Sequence, residues 1–313
     1  MTDTKTNPAP DRPLVTFALF AYNQEQYIRE AVEGAFSQTY EPLEIILSDD
    51  CSSDRTYEIM QEMAAAYEGP HEVRVRRSEA NRGLAKHINE VASVANGKIL
   101  VVAAGDDISA PERTELIARA FRRDEKTTAV FSDFTTIPPD QKFNRYGNLG
   151  STITLSEIII AGGGVQKGAT YGYSRDCFSR FVELPNWISS EDRILPFRAA
   201  LIGRVKHLEI SLVKYRLPEN SEVEKKKSRI LGYNHPNHFN FLMENLVEAR
   251  SSGDVGQPTY IFSKYLLHWV QLALKLKAMG NIQRLFGNLA WIPVRIFRKV
   301  ATVYVRLKEG GAR

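Results

Sequence analysis

Residues 99–113 read ILVVAAGDDISAPER. An apolar run with the look of a buried strand stops at two adjacent aspartates, and Ser109 and Pro111 then open a helix-like stretch. Two carboxylates at the tip of a buried strand repel each other and lose hydration, so their presence asks for a cation or a polar ligand. The same pattern recurs upstream. LVTFALFAYN (14–23) is strand-like and ends at Tyr22-Asn23, and LEIILSDD (43–50) ends at Asp49-Asp50. Between and after these runs lie stretches of helical period: 24–36, SSDRTYEIMQEMAAAYEG (52–69), LAKHINEVASVANG (84–97) and SAPERTELIARAFRRD (109–124). VRVRRS (73–78) and TAVFSDF (128–134) read as further strands. Asn23 with Gln26, and Ser109 with Glu112, have the spacing of capping boxes, and Ser53 or Asp54 is placed to cap the helix after the second strand.

Strand and helix alternating in this way, with nearly continuous apolar strands, predict an α/β fold: a mostly parallel sheet with helices on both faces. Ligands of such sheets bind beyond the carboxyl ends of the strands. Parallel strands would gather Tyr22-Asn23, Asp49-Asp50 and Asp106-Asp107 at one edge. Residues 136–170, with Gly162-Gly163-Gly164, read as a loop region over that edge. LPNWISSEDRILPFRAALIG (184–203) puts Glu191-Asp192 at the start of a helix, and RVKHLEISLVKYRL (204–217) reads as one or two late strands. From about 225 the pattern is helical.

Bulk composition narrows the field. The chain has 313 residues, 43% hydrophobic and 25% charged, as in ordinary globular proteins. The first dozen residues, MTDTKTNPAPDR, lack apolar content and read as disordered, without the apolar stretch of a signal peptide. Two cysteines, Cys51 and Cys177, make no disulfide framework, which suits a reducing cytoplasm. Net charge is +4, yet residues 257–313 carry ten Lys/Arg against Glu309 alone, so this tail is +9 and the body about −5. No phosphate-binding glycine motif, zinc spacing or serine-hydrolase elbow occurs, and His87, on a predicted helix, reads as a surface or packing residue.

Each acidic pair fits a task. Mg²⁺ and similar cations use one or two protein carboxylates, with water and phosphate completing the shell, which suits Asp106-Asp107. A carboxylate at the second strand tip can accept the imide N–H of uracil or a ribose hydroxyl. One near a phosphate leaving group, as Glu191-Asp192 would be, can take a proton from an attacking hydroxyl.

Taken together and in order, Ala21-Tyr22-Asn23, Ser37-Gln38-Thr39-Tyr40, Glu44-Ile45-Ile46, Asp49-Asp50 with Ser52-Ser53-Asp54, Asn81-x-Gly83, Asn96-Gly97, Gly105-Asp106-Asp107 and Glu191-Asp192 resemble the family-2 inverting glycosyltransferases of GT-A fold, over roughly 13–220. The resemblance implies a domain over 13–222, followed by a helical, basic amphipathic region over 223–313. It implies that Asp50 binds the nucleotide base with Ala21, Tyr22, Asn23 and Gly83 lining the pocket. Asp106 and Asp107 would hold the ribose and a Mg²⁺ or Mn²⁺ ion on the diphosphate, and Asp192 would be the general base with Glu191 its neighbour or stand-in. The donor would be a UDP- or dTDP-linked sugar and the acceptor a glycan or polyprenyl-linked species of surface-polysaccharide synthesis. Two positions depart from the pattern. Ala104 stands where an acid often precedes the glycine, and Pro218 where many members carry histidine, so the cation would rest on fewer ligands. The rival readings are an inactive sugar-nucleotide binder or assembly scaffold, and a nucleotidyltransferase.

In the tail, Arg295, Arg298, Lys299, Thr302 and Arg306 share one helical face, with Ile296, Phe297, Val300, Val303, Tyr304 and Leu307 covering much of the rest and Trp291 near the start. This is too interrupted by charge to span a bilayer and suits the interface of an anionic membrane. A similar stretch covers 260–279. The expected location is the inner face of the cell membrane, peripherally bound; packing on protein is the alternative, and no nucleic-acid module accompanies the tail.

Overall fold

The computed structural model describes residues 12–139, 151–188, 190–217 and 237–278. Residues 1–11, Pro218 and the basic stretch 285–313 lie outside them.

The order of elements begins β1 (Val15–Ala21), α1 (Ile28–Phe36), β2 (Leu43–Asp49), α2 (Thr56–Ala65), β3 (Glu72–Arg77), α3 (Leu84–Val94) and β4 (Ile99–Ala104). It continues with β5 (Ile108–Ser109), α4 (Arg113–Arg123), β6 (Thr127–Ile137), β7 (Thr152–Ile153), α5 (Leu155–Ile160), β8 (Tyr171–Ser174), α6 (Asp176–Ser179), α7 (Leu195–Ile202) and β9 (Arg204–Arg216). Two helices, α8 (His238–Ser251) and α9 (Gln257–Ala278), close the described chain. The strands form one sheet in the order β3-β2-β1-β4-β8-β6-β9-β5, with β7 also on β9. β1 to β4 pair in parallel, β8 runs antiparallel between β4 and β6, β9 is parallel to β6, and β5 and β7 run against β9. Six strands therefore share one direction and three oppose it. The fold is the predicted mixed α/β sheet, mostly parallel.

The two-residue period of a strand sorts the core. Val15, Phe17 and Leu19 of β1 join Ile45 and Leu47 of β2 and meet α1, α2 and α4 through Ile28, Val32, Ile59, Met60 and Ile117. Ala18 and Phe20 point the other way, to Ile88 and Val91 of α3. That second core continues without a break into α5, α7, α8 and α9. Burying one such large side chain stabilises by about 1.5–3 kcal/mol, and α1 alone buries Ile28, Ala31, Val32 and Ala35 at helical spacing. The described C-terminal helices are thus packed on α5, α7 and each other: Leu266, Leu267 and Val270 of α9 are buried, while Ile261 and Tyr265 of the same helix face solvent. Arg198 of α7 donates to Asn245 Oδ1 of α8 and to the Val182 carbonyl, both at 2.6 Å, and lies against Phe181 and Phe241.

Several signature residues turn out to hold this scaffold. Glu44, fully buried, accepts from Thr16, from Arg74 and from Asn96 N and Nδ2 (3.0 and 2.8 Å) at the N-terminal edge of the sheet. A Cβ on Gly97 would come within 2.4 Å of Thr16 N, so the residue after Asn96 has no room for a side chain. Gln38 donates to the carbonyls of Gly34 and Ala110 (2.8 and 2.9 Å) and accepts from Thr114 N and Oγ1 (3.0 and 2.7 Å), clipping α1 to α4.

Two local capping expectations fail. α1 starts at Ile28, and Asn23, in the left-handed region at φ 51°, caps nothing in α1; its Oδ1 accepts from Ser53 N at 2.8 Å. Ser109 does not cap α4, because it belongs to β5 and its Oγ accepts from Arg113 at 2.9 Å. Residues 204–216 are one long strand, with irregular register opposite Ser132–Phe134.

Candidate active site

The register of the parallel strands sets Ala21 beside Asp49 and Phe20 beside Ala104, so the tips of β1, β2 and β4 end level. Beyond them opens a cleft of about 450 Å³ lined by Phe20, Ala21, Tyr22, Gln24, Asp50, Asn81, Gly83, Leu84, His87, Val102, Ala103, Ala104, Ala169 and Glu191. Asp50 and Glu191, from segments far apart in the chain, thus face one space.

Asp50 is buried at the base of the cleft, and its two oxygens accept from Arg82 N and Gly83 N, each at 2.9 Å. Gly83 adopts φ 77° to present that N–H, a conformation that glycine enters without strain. Each carboxylate oxygen keeps a lone pair for a ligand. Asp49 has a different task. It accepts from Ser52 N at 2.9 Å and from Ser52 Oγ, and Arg77 Nε lies 3.3 Å away. Asn23 also serves the scaffold: its N–H donates to Ser52 Oγ at 2.8 Å, fastening the β1 tip to the β2 tip behind Tyr22.

Asp106 and Asp107 form the turn after β4. Asp107 is buried, its Oδ1 accepts from Arg216 N at 2.8 Å, and its Oδ2 is buried with no partner among the described residues. Burial, then the neighbouring Asp106, push the Asp107 carboxyl up to about 8, and burial raises Asp106 as well. Arg216 clamps the turn by donating from Nε to the Asp106 carbonyl (3.0 Å) while it pairs with Glu30 (3.0 Å) and stacks on Tyr27. Beneath it, the fully buried Arg113 donates to the carbonyls of Val102 (2.7 Å) and Ala169 (2.6 Å), tying β4 to the segment that leads into β8. An orphaned, buried carboxylate oxygen beside a second carboxylate fits a hard divalent cation. Among the described residues no cluster of three or more His, Cys, Asp or Glu accompanies them, so protein ligands for such an ion amount to this pair.

Glu191 and Asp192 sit in a 3-10 turn, residues 191–193, before α7. Glu191 is buried, and burial followed by the charge of Asp192 pushes its carboxyl up to about 8. Asp192 is half-buried and also raised by burial, with the charges of Arg193 and Lys167 opposing the shift. The glycine run explains how the turn is held. A Cβ on Gly163 would lie 1.9 Å from the Arg193 carbonyl oxygen, one on Gly164 1.7 Å from that of Asp192, and one on Gly168 1.9 Å from Glu191 Oε1. Backbone therefore packs on backbone here. Tyr215 senses both acidic pairs: burial, and then the charges of Asp107, Asp106, Asp192 and Glu191, raise its hydroxyl.

Against known proteins, residues 16–166 match the family profile described as Glycosyl transferase family 2. Residues 16–166, just under half of the chain, form a family-2 glycosyltransferase domain. An uncharacterized protein of Mycobacterium tuberculosis is 30% identical over 200 residues, 63% of this chain and 56% of that protein, so the chain spans about half the length of such curated relatives. Among solved structures, S. aureus TarS 1-349 in complex with UDP-GlcNAc superposes with TM-score 0.63 at 18% identity, covering 90% of this chain and 79% of that one. The mannosyltransferase PcManGT from Pyrobaculum calidifontis, in complex with GDP-Man and Mn²⁺, gives TM-score 0.57 at 19% identity over 91% and 83% of the chains. At those identities the likeness speaks for the fold, a GT-A-type sheet, which this glycosyltransferase domain shares.

Of the residues expected to bind donor, Ala21, Tyr22, Asp50 and Gly83 line the cleft; Asn23 stands behind it. Asp106 and Asp107 follow the cleft-lining Ala103-Ala104, and Glu191 enters it directly, with Asp192 alongside in the same turn. Sequence reasoning missed His87, which is buried in the cleft wall, and Arg113, Arg216 and Tyr215. A charged residue four positions after Ser109 at the start of α4 was the only trace of Arg113.

Proposed function

We propose that this domain transfers a sugar from a nucleoside diphosphate donor, UDP- or dTDP-linked, to a glycan or polyprenyl-linked acceptor with inversion at the anomeric carbon. One observation carries the reading: Asp50 and Glu191 line one cleft at the level tips of β1, β2 and β4, with Asp106-Asp107 following directly on its Ala103-Ala104 wall and Asp192 next to Glu191. Asp50 accepts a ring N–H of the base. Asp106 and Asp107 would hold Mg²⁺ or Mn²⁺ at the donor diphosphate, and the ion, when bound, would offset charge on the departing nucleoside diphosphate. The Mn²⁺ in the PcManGT complex and the nucleotide sugars in the complexes of both structural neighbours support this assignment. Burial raises both carboxyls, Glu191 up to about 8 with the charge of Asp192 adding to its shift, while Arg193 and Lys167 oppose the shift at Asp192. Asp192, next to Lys167 and Arg193, is the member favoured to ionise, and it takes the proton of the acceptor hydroxyl. Glu191 keeps its proton and keeps the base poised.

No helix among the described residues is long and apolar enough to cross a membrane. The basic face of 285–313 would hold the protein on an anionic membrane surface, bringing the cleft to a lipid-linked acceptor.

The test is nucleoside diphosphate release from a panel of nucleotide sugars with Mg²⁺ or Mn²⁺. Asp192→Asn should still bind the nucleotide and lose at least a hundredfold in turnover, within the usual range for a general base. Asp107→Asn should lose metal-dependent diphosphate affinity. Full turnover in both variants would refute these roles, and binding without turnover in the unaltered protein would favour the binder reading.

A further inference from the structure

The cleft wall opposite β1 holds a histidine that the proposed chemistry leaves unused. His87 of α3 is buried with its ring edge against Phe20, centroids 5.1 Å apart, and it lines the same cleft as Asp50. Its Nε2 contacts Ser48 Oγ. Ser48 is completely buried, and its Oγ accepts from Arg76 Nη1 at 2.8 Å, with Arg76 fixed in turn by Glu90 at 2.9 Å. A guanidinium only donates, so the direction of the chain follows. If Nε2 also donated to Ser48, the serine proton would be left buried without an acceptor, at a cost of about 1–3 kcal/mol. The satisfied arrangement is Arg76 N–H to Ser48 Oγ, and Ser48 O–H to Nε2. Nε2 then carries no proton, so in the neutral ring the hydrogen sits on Nδ1. Burial keeps the ring neutral, pushing its pKa down to about 4 although Asp50 works against the shift. The only ring hydrogen bond of His87 among the described residues is at Nε2, and the residue lines the cleft, so Nδ1 is the nitrogen left for a ligand.

Resting on the nucleotide-sugar reading above, we propose that His87 reads the nucleobase: its Nδ1–H donates to a ring carbonyl while Asp50 accepts the adjacent ring N–H. That donor-and-acceptor pair complements the N3–H and C4=O of uracil or thymine, and the N1–H and C6=O of guanine. Cytosine and adenine present an acceptor nitrogen beside an amino donor, and would set lone pair against lone pair at Asp50 and hydrogen against hydrogen at His87. Selection against them therefore comes from repulsion as well as lost bonds. Arg76 and Ser48 act as positioning residues, since they fix the tautomer without touching the base.

The experiment is calorimetric titration of the full chain with UDP, dTDP, GDP, CDP and ADP, each with Mn²⁺ at pH 7.5. The unaltered protein should bind at least one of the three keto nucleotides tenfold or more tightly than CDP and ADP; the ranking among UDP, dTDP and GDP identifies which base fits the wall. His87→Phe keeps the ring contact with Phe20 and removes the donor. It should weaken the preferred keto nucleotide five- to tenfold and leave or improve CDP, and His87→Asn, which restores a donor, should recover part of the preference. If His87→Phe does not fold, His87→Asn against His87→Leu makes the same comparison. Equal losses for keto and amino bases, or an unchanged ratio, would overturn the role of His87 while leaving the nucleotide-sugar reading intact. Failure of every nucleotide to bind the unaltered protein would overturn both.

Discussion

Replacing Glu191 by glutamine should make the protein more stable, and more so at alkaline pH. The Glu191 carboxyl moves from an ordinary value of 4.5 to about 8 in the folded chain, through burial and then the charge of Asp192. A raised carboxyl is one the folded state holds protonated longer than the unfolded state. Its contribution to stability is therefore complete below about pH 4.5 and is lost as pH rises toward 8. The gap of about 3.5 pH units corresponds to a ceiling of about 5 kcal/mol above pH 8, at about 1.36 kcal/mol per unit. Between pH 5 and pH 7.5 the unaltered protein should lose about 3 kcal/mol through this one group. Glutamine has the same shape and does not titrate, so Glu191→Gln escapes that loss. The Asp192 carboxyl, freed of a like charge, also ionises more easily, which acts in the same direction. The Tm difference should thus widen by about 6–12 °C in favour of the variant between pH 5 and 7.5, taking about 2–4 °C per kcal/mol for a chain of this class. Thermal melts of both proteins at four pH values, with urea titrations at the two extremes, give the comparison. A variant destabilised equally at every pH, or a gap that does not grow, would show that Glu191 is not a buried acid under strain.

Other perturbations probe the remaining parts. Gly164→Ala should cost about 2–4 kcal/mol and most of the turnover, because the new Cβ would lie 1.7 Å from the Asp192 carbonyl oxygen and neither backbone can yield; retained activity would mean that the turn is more forgiving than its packing implies. Arg113→Met should destabilise by about 3–5 kcal/mol, as loss of a buried cation leaves carbonyls and Asp107 uncompensated; urea denaturation decides it. Asp107→Asn should raise Tm without metal while abolishing the Tm gain from added Mn²⁺ plus nucleoside diphosphate, and an equal gain in the variant would point to a different cation site. Deleting 285–313 should abolish salt-sensitive sedimentation with anionic liposomes, and unchanged sedimentation would refute the membrane role.

The parallel half of the sheet was legible because its signals are local: apolar runs of strand length, helices of matching period between them, and acids at the strand tips. The antiparallel insertion of β8 between β4 and β6 was not, since Tyr171–Ser174 is a four-residue strand defined by partners far along the chain. Capping signals misled where another donor took the capping oxygen: Arg113, four residues on, claims Ser109 Oγ, and Ser53, from the next strand tip, claims Asn23 Oδ1. The acidic pairs were recognisable singly, but their different duties were not. Asp49 differs from Asp50 only in facing Ser52 and Arg77, and the strand period alternates them across the sheet. Gly162-Gly163-Gly164 read as a loop because glycine signals permissive backbone; its use against the 191–193 turn depends on an approach that no local pattern encodes. His87 read as packing, which is half correct, and only the Ser48–Arg76 chain behind it shows which nitrogen is left over.

The two ends of the parallel sheet treat the same functional group in opposite ways. At the N-terminal edge Glu44 is sunk completely and saturated by Thr16, Arg74 and Asn96. At the C-terminal edge Asp107 is sunk almost as deeply with one oxygen unanswered. The first edge can hold its shape in an empty protein; the second is complete only with a guest. Amide exchange in the unliganded chain should accordingly be slow at Asn96-Gly97 and faster at Asp106-Asp107, and a bound donor should quieten the second edge alone. Changes at the second edge that spare Arg113 and Arg216 would leave the Glu44 clamp at the far side of the sheet untouched.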